Sequence, residues 1–161
     1  MCYLKATQVV MVACLGMLLS VSTAWAGSHC APVGGSFMTD VGGFGDNTTL
    51  GTVAGDLKGA IGVEILGITT GEGGTVTIKV QHHLVTETGD MVFMDRAEAH
   101  GVFVASGLAA LTDYKVHLSG GTGRYAGATG DMTNIGEADF NTGHIIGRYT
   151  GQICTVATGT P

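Results

Sequence analysis

After residue 26, short runs of alternating apolar and polar residues recur along the chain, separated by glycine-rich turns. Alternation with a period of two is the pattern of a β-strand that buries one face. No stretch of this part keeps a 3.6-residue apolar period for four turns, so long amphipathic helices are not expected. Short strands between glycine turns are typical of β-sandwiches and β-barrels, and the pattern therefore predicts an all-β fold.

The clearest alternation lies in residues 75–87 and 90–104, which Thr88-Gly89 can join as a two-residue hairpin turn. With that turn, one face of the hairpin is apolar except for a single polar pair. The facing pairs are Val76/Gly101, Ile78/Ala99, Val80/Ala97, His82/Asp95 and Leu84/Phe93. We expect this face to point into the protein, because the opposite face is charged.

The opposite face of this hairpin places Lys79 across from Glu98, an ion pair that water can reach. Arg96, Glu98 and His100 form a row there. We interpret the row as a solvated surface or a contact with another subunit.

Thr142-Gly143 can turn residues 135–141 onto residues 144–154 in a second, independent hairpin. Its predicted inward pairs are again apolar: Phe140/Ile145, Ala138/Gly147 and Gly136/Tyr149. A further strand over residues 111–119 would point Tyr114 inward. The interior would then be aliphatic and aromatic, and its predicted ligand-binding side chains are Phe93, Tyr114, Phe140 and Tyr149.

His82 and Asp95 are the predicted catalytic residues. A carboxylate beside an imidazole in an apolar interior can fix the imidazole tautomer and raise its basicity. Such a pair could serve as general acid or base on an enolisable or epoxide-bearing substrate. The alternative is a buried polar pair that only satisfies itself, or a pair at the surface in contact with water.

No metal site is expected. His82 and His83 are adjacent on a predicted strand, so their side chains point to opposite faces and cannot bind one ion together. Cys30 and Cys154 have no neighbouring cysteine at metal-ligand spacing. The Gly-x-Ser-x-Gly motif of serine hydrolases is also absent.

Residues 1–26 have the pattern of a secretory signal peptide. Lys5 precedes an apolar run from Val9 to Val21, and Ala24-Trp25-Ala26 fits the small-x-small pattern of a cleavage site. The alternative is an uncleaved membrane anchor, for which the run is barely long enough. We therefore expect a secreted or periplasmic protein, with a membrane as partner only if this segment is retained.

Cleavage would leave six basic and thirteen acidic residues, a net charge of −7 that disfavours nucleic acid as a partner. Cys30 and Cys154 would remain, one near each end of the mature chain. In an oxidising compartment they could form a disulfide. Two free thiols or an intermolecular bridge are the alternatives.

The densest glycine run is Gly120-Gly121-Thr122-Gly123-Arg124-Tyr125-Ala126-Gly127-Ala128-Thr129-Gly130. We interpret it as a tight turn that feeds a strand, with Tyr125, Ala128 and Gly130 on the strand. A phosphate-binding loop is disfavoured, because no Gly-Lys-Ser/Thr follows.

This run resembles the signature of the allene oxide cyclase and dirigent barrel-like superfamily, in which Phe is usual where Tyr125 stands. The surrounding strand pattern agrees over roughly residues 50–154. The resemblance implies an all-β, eight-stranded antiparallel β-barrel, often trimeric, with a ligand cavity along its axis. Relatives of this kind steer cyclisations or couplings of reactive small molecules without a redox cofactor, so no cofactor is expected.

We therefore expect three segments: the signal peptide (1–26), a loop-rich N-terminal segment (27–49) and the β-barrel domain (50–161). Within the loop-rich segment only residues 36–39 suggest a short strand. Two functions remain open. One is a cofactor-independent cyclase or isomerase acting on a hydrophobic small molecule. The other is a non-catalytic ligand-binding or structural barrel, in either case as a possible homodimer or homotrimer.

Overall fold

A computed structural model of the protein describes residues 28–42 and 45–156. Nine strands account for most of these residues. They are β1 (Ser28–Val41), β2 (Thr48–Gly55), β3 (Gly59–Thr70), β4 (Thr75–Thr86), β5 (Met91–Met94), β6 (Ala97–Ala105), β7 (Leu108–Gly121), β8 (Thr129–Asp139) and β9 (His144–Val156). Among the described residues, no helix has the length and apolarity needed to cross a bilayer. The predicted signal peptide lies outside the described residues.

The strands form a closed antiparallel barrel, as expected. Each strand pairs with the next along the chain, except that β5 does not pair with β6, and β1 pairs with β9 to complete the circle. β5 and β6 both lie between β4 and β7, so together they fill one strand position. The barrel thus has eight positions, and every described strand has a partner strand on both sides, which reduces the edge available as a template for aggregation.

The inner face of the barrel holds the core. Along β4, β6 and β7 the buried residues alternate with exposed ones, as the sequence pattern predicts. Tyr114, Val116 and Leu118 point inward and are buried, whereas Lys115 and His117 point outward. Burying these apolar groups contributes roughly 25 cal/mol per Å² and is the main force that closes the barrel.

The N-terminal segment differs from expectation. Instead of a loop-rich stretch over 27–49, the chain forms β1, which pairs with β9 from Ser28 to Asp40 and with β2 from Gly35 to Val41. Its glycines allow close approach: a Cβ on Gly35 would lie 1.9 Å from the carbonyl oxygen of Ala54. The glycines that suggest a loop are therefore a packing requirement of the barrel wall.

The hairpin of residues 75–104 has the predicted register over only half of its length. β4 and β6 pair as predicted, with Val80 opposite Ala97. β4 and β5 pair one residue out of step, with His83 opposite Phe93. The loop between them therefore has three residues, with Gly89 at φ +85°, a common hairpin geometry.

An extra residue at Asp95–Arg96 restores the register between β5 and β6. The amide of Asp95 bonds to the carbonyl of His117 on β7. The side chain of Gln81 donates to the carbonyl of Met94 at 2.7 Å. Such a bulge turns two successive residues outward and so reverses which faces point inward. Because the three-residue loop precedes β5, its inward residues are Val92 and Met94, not Phe93 and Asp95, and the bulge then returns Ala97 to the inner face.

The last hairpin has the predicted faces but different partners. Ala138 pairs with Ile145, and Gly136 pairs with Gly147. The turn is longer than predicted, because the amide of Gly143 bonds to the carbonyl of Asp139. The predicted pairing of Phe140 with Ile145 is therefore wrong. The register shifts by two residues, however, so the same side chains point inward as predicted.

The glycine run at residues 120–130 closes one end of the barrel. Gly123–Tyr125 form a short 3₁₀ turn, and β8 begins only at Thr129, so Tyr125 lies in the turn rather than on the predicted strand. Tyr125 and Ala128 are buried there. Gly123 has φ +53°, a conformation that favours glycine, and a Cβ there would lie 1.9 Å from a carboxylate oxygen of Asp90, which would have to move.

Cys30 and Cys154 form the predicted disulfide, which links directly paired residues of β1 and β9 across 124 positions of sequence. The disulfide links β1 and β9 covalently, at the pairing that closes the sheet into a barrel. A disulfide is consistent with an oxidising compartment outside the cytosol.

Candidate functional site

The barrel encloses a cavity of about 300 Å³ along its axis. Most of its wall is aliphatic. The polar and aromatic lining residues are Phe37, Thr39, Asp46, Asn47, Thr49, His82, Tyr114, Asn134, Asp139, Phe140 and Tyr149.

One end of the cavity is open and the other is closed. At the open end, the lining residues Val41, Ile68 and Phe140 are between 41% and 46% exposed. At the closed end, Leu57 and Leu84 are each 2% exposed. We call the open end the mouth.

Tyr149 holds the β2–β3 turn in place at the closed end of the cavity. Its hydroxyl accepts a hydrogen bond from the amide of Leu57 at 2.9 Å and donates to the carbonyl of Ala54 at 3.1 Å. These bonds fix the β2–β3 turn beneath the cavity, so that Leu57 seals the end of the barrel. Tyr149 thus lines the cavity with its ring while its hydroxyl is already occupied.

His82 and Tyr114 form a buried polar pair in the cavity wall. His82 Nε2 is hydrogen-bonded to the Tyr114 hydroxyl, and the two rings lie 5.7 Å apart with an interplanar angle of 29°. They come from β4 and β7, and β6 pairs with both strands. The inward residues of β6 at this level are Ala97 and Ala99, whose short side chains leave room for the pair.

Both members of this pair are neutral around pH 7. Burial, and to a smaller extent the nearby charge of His83, lowers the pKa of His82 to about 4. Burial raises the pKa of Tyr114 above its usual value. Either Tyr114 donates its proton to His82 or Nε2–H donates to the phenol oxygen.

Two buried polar atoms in the cavity wall have no hydrogen-bond partner among the described residues. They are His82 Nδ1 and Thr49 Oγ1. Asn134, by contrast, is buried but donates to the carbonyl of Tyr114 at 3.1 Å. Most buried polar atoms in folded proteins are hydrogen-bonded, so each exception needs an explanation.

The structure brings together four of the predicted site residues. His82, Tyr114, Phe140 and Tyr149 all line the cavity. Their roles in catalysis or ligand binding stay predictions.

Two predicted site residues lie elsewhere. Phe93 is 45% exposed on the outer wall, and Asp95 is exposed on the bulge. The predicted facing of His82 and Asp95 is therefore wrong, because the three-residue loop reverses the faces of β5. The partner that His82 finds is a phenol, not a carboxylate.

Sequence reasoning missed Thr49 and Asn134. Thr49 lies at the start of β2, within the segment predicted as loop, so no face could be assigned to it. Asn134 precedes the predicted final hairpin by one residue. Apolar–polar alternation could not have found either residue, because their exposed neighbours Leu50 and Ile135 are apolar.

The charged residues that line the cavity are Asp46 and Asp139, and neither Lys nor Arg is among the described lining residues. Within the described ranges, no group of three or more His, Cys, Asp and Glu side chains could hold a metal ion together.

Comparison of the sequence with known protein families gives no match. Comparison with curated proteins also gives none. Among solved structures, that of a pterocarpan synthase dirigent protein is similar, with 14% sequence identity and a TM-score of 0.38. The match covers 88% of this chain and 99% of that chain. At this level the similarity assigns neither a family nor a function.

Proposed function

We propose that the protein binds a small, mainly hydrophobic molecule in the cavity of the barrel. The observation that carries this proposal is the cavity itself: about 300 Å³, apolar, open at one end, with a neutral polar pair in its wall. Small-molecule sites typically have volumes of about 300–1,000 Å³ and an apolar lining with a few oriented polar groups.

The state of the polar pair favours binding over acid–base chemistry. General acid–base catalysis is most efficient when the pKa of the catalytic group lies near the working pH. The pKa of His82 lies well below neutrality, and that of Tyr114 lies above its usual value. The pair therefore acts as a neutral hydrogen-bonding group that orients a ligand.

A cofactor-independent isomerase or cyclase is the second candidate. Neutral hydrogen-bond donors in a water-poor cavity can stabilise negative charge that develops on an oxygen during enolisation or ring closure. The buried hydrogen bond between His82 and Tyr114 supports this candidate. Here the pair would polarise a carbonyl, and hydroxide or a buffer base that enters from the solvent would take the α-proton.

Binding is tested by equilibrium dialysis of naphthalene against the protein. Wild-type protein should bind one equivalent in a saturable manner. Val63 is half-buried in the cavity wall, so Val63→Phe should fill the cavity and weaken binding at least tenfold. Val85 is 41% exposed on the outer wall, so Val85→Phe is the matched control and should leave binding unchanged.

Absence of saturable binding by the folded wild-type protein would refute the proposal. Equal affinities for wild type, Val63→Phe and Val85→Phe would place naphthalene outside the cavity and would also refute it. Circular dichroism of each variant shows whether the barrel is retained.

Catalysis is tested with 2-tetralone, an enolisable ketone of similar size. If the second candidate holds, wild-type protein accelerates exchange of the α-protons in D₂O, as followed by NMR, and Tyr114→Phe loses most of that acceleration. Equal exchange rates with and without protein leave binding as the function.

A further inference from the structure

A patch on the outer wall of the barrel combines exposed apolar side chains with two charges. On β8 and β9, Ile135 lies opposite Arg148, and Glu137 lies opposite Ile146. All four side chains point outward and are exposed. They line a groove of about 960 Å³, together with two directly paired glycines of the same strands. We call these four residues the outer-wall patch.

The apolar side chains of the outer-wall patch are about half exposed. Ile135 is 48% exposed and Ile146 is 50% exposed. Met38 on β1 pairs with Ile146, lines the same groove and is 54% exposed. Contiguous exposed apolar side chains, in contrast to scattered ones, mark interaction sites on soluble proteins.

The charges of the outer-wall patch have no partner within the described part of the chain. Neither Glu137 nor Arg148 forms an ion pair with another described residue. The basic side chains that do form one with a carboxylate are Lys58, Lys79, Lys115 and Arg124. Among the described Lys and Arg residues, Arg148 and Arg96 therefore remain unpaired, and only Arg148 lies in the groove.

The four residues stand at the corners of a quadrilateral. Its sides are about 4.8 Å between neighbouring strands and about 7 Å between alternate residues of one strand. The two isoleucines occupy one diagonal, and Glu137 and Arg148 occupy the other. A twofold axis that runs parallel to the sheet, close to the isoleucine diagonal, therefore exchanges the two charged corners.

Such an axis makes the outer-wall patch complementary to itself. It places Arg148 against Glu137 of the partner subunit, and the reciprocal contact forms at the same time. Each isoleucine then lies near its own equivalent. A surface that matches itself in this way is what an isologous contact requires. Arg and Met beside an apolar centre are also typical of the composition of protein interfaces.

We propose that the outer-wall patch is the contact surface of a twofold homodimer, with two reciprocal Arg148–Glu137 ion pairs around an apolar centre. The contact closes after two copies, because each copy uses the same surface once. It therefore differs from the trimer that the sequence resemblance implies. It also lies away from the row of Arg96, Glu98 and His100, and it does not depend on the proposed function.

Sedimentation equilibrium of the purified protein at pH 7, over a range of concentrations, tests the inference. Wild-type protein should approach the mass of two chains as the concentration rises. Arg148→Glu places two carboxylates at each contact, and Glu137→Arg places two guanidinium groups there. Each should raise the dissociation constant at least tenfold, because like charges facing each other across an interface are unfavourable. The double variant restores opposite charges at both contacts and should restore the dimer.

Arg96→Glu is the matched control. It makes the same change of charge at the other unpaired arginine, which is exposed on the bulge and does not line the groove. The dissociation constant should stay unchanged. Circular dichroism of each variant shows whether the barrel is retained.

Several outcomes would overturn the inference. A wild-type protein that stays monomeric at every concentration, or that forms trimers, is one of them. A dimer that both single charge reversals leave intact is another. If the double variant fails to restore a dimer that the single variants lose, the two charges do not face each other. If Arg96→Glu weakens the dimer as much as Arg148→Glu does, net charge rather than this contact is responsible.

Discussion

At the scale of single residues, the buried hydrogen bond between His82 and Tyr114 is the main polar feature of the interior. Alternation along β4 and β7 is enough to predict that both side chains point inward. It cannot predict that they meet, because they lie on strands separated by β6 and the contact depends on barrel curvature. Nor does it exclude Asp95, whose side chain faces outward because the three-residue loop reverses the faces of β5.

The stability of the protein should depend on the protonation of His82. Its pKa falls from 6.5 in the unfolded chain to about 4 in the folded one, so the unfolded state binds more protons between these values. The free energy of unfolding is therefore independent of His82 protonation above pH 6.5. It decreases as the pH falls towards 4, by roughly 3 kcal/mol in total. Urea denaturation of wild type and His82→Gln across this range measures it as a difference in slope. Parallel pH profiles for the two proteins would contradict the burial of a neutral imidazole.

Tyr114→Phe should destabilise the fold by about 1–3 kcal/mol, because it leaves His82 Nε2 buried without a partner. Asp95→Ala should change the free energy of unfolding by less than about 0.5 kcal/mol, since the side chain is exposed. Urea denaturation at pH 7 compares the two variants. A larger effect from Asp95→Ala would mean that the carboxylate, and not the phenol, supports the imidazole.

At the scale of elements, the β4–β5–β6 region shows why the register of a hairpin is difficult to predict. Thr88-Gly89 suggests a two-residue turn, but the chain uses three loop residues and then inserts one extra residue at Asp95–Arg96. The two irregularities cancel, so the pairing of Val80 with Ala97 is predicted correctly while the stretch between them is not. Apolar residues on both faces of β5, such as Val92 and Phe93, make either face acceptable on sequence grounds.

Gly89→Ala should cost about 1–2 kcal/mol, because Gly89 has φ +85° and side chains disfavour this conformation. An added Cβ there meets no atom within 4 Å, so the cost is conformational only. Gly67 on β3 is the matched control. It is equally open, its φ lies outside the left-handed region, and Gly67→Ala should be neutral or slightly stabilising. Thermal unfolding of both variants measures the difference, and equal melting temperatures would argue against the left-handed loop residue.

At the scale of the whole molecule, the closed barrel follows from features that the sequence shows plainly: alternating strands, glycine turns and two distant cysteines. The position of β1 cannot be predicted in this way. Its glycines are typical of a loop, and only the pairing with β9 shows that they belong to a strand. The volume of the cavity cannot be predicted from the sequence either. It depends on which large side chains lie across the barrel from small residues such as Ala97 and Ala99.

Replacing both Cys30 and Cys154 by Ala should lower the free energy of unfolding by about 2–5 kcal/mol, because the bridge restricts a long unfolded loop. Urea denaturation of the double variant and of reduced wild-type protein should give similar midpoints. An unchanged midpoint would show that the β1–β9 pairing holds the barrel closed by itself.

The pairing of β1 with β9 also determines how the molecule could be attached to a surface. Ser28 pairs with Val156 at the closed end, whereas Asp40 pairs with His144 beside the mouth. Both ends of the described chain therefore leave the barrel on the side away from the cavity opening. A linker to a resin or sensor chip attached at Ser28 or Val156 would hold the protein with its cavity facing the solution, where a dissolved compound reaches it without passing the attachment point.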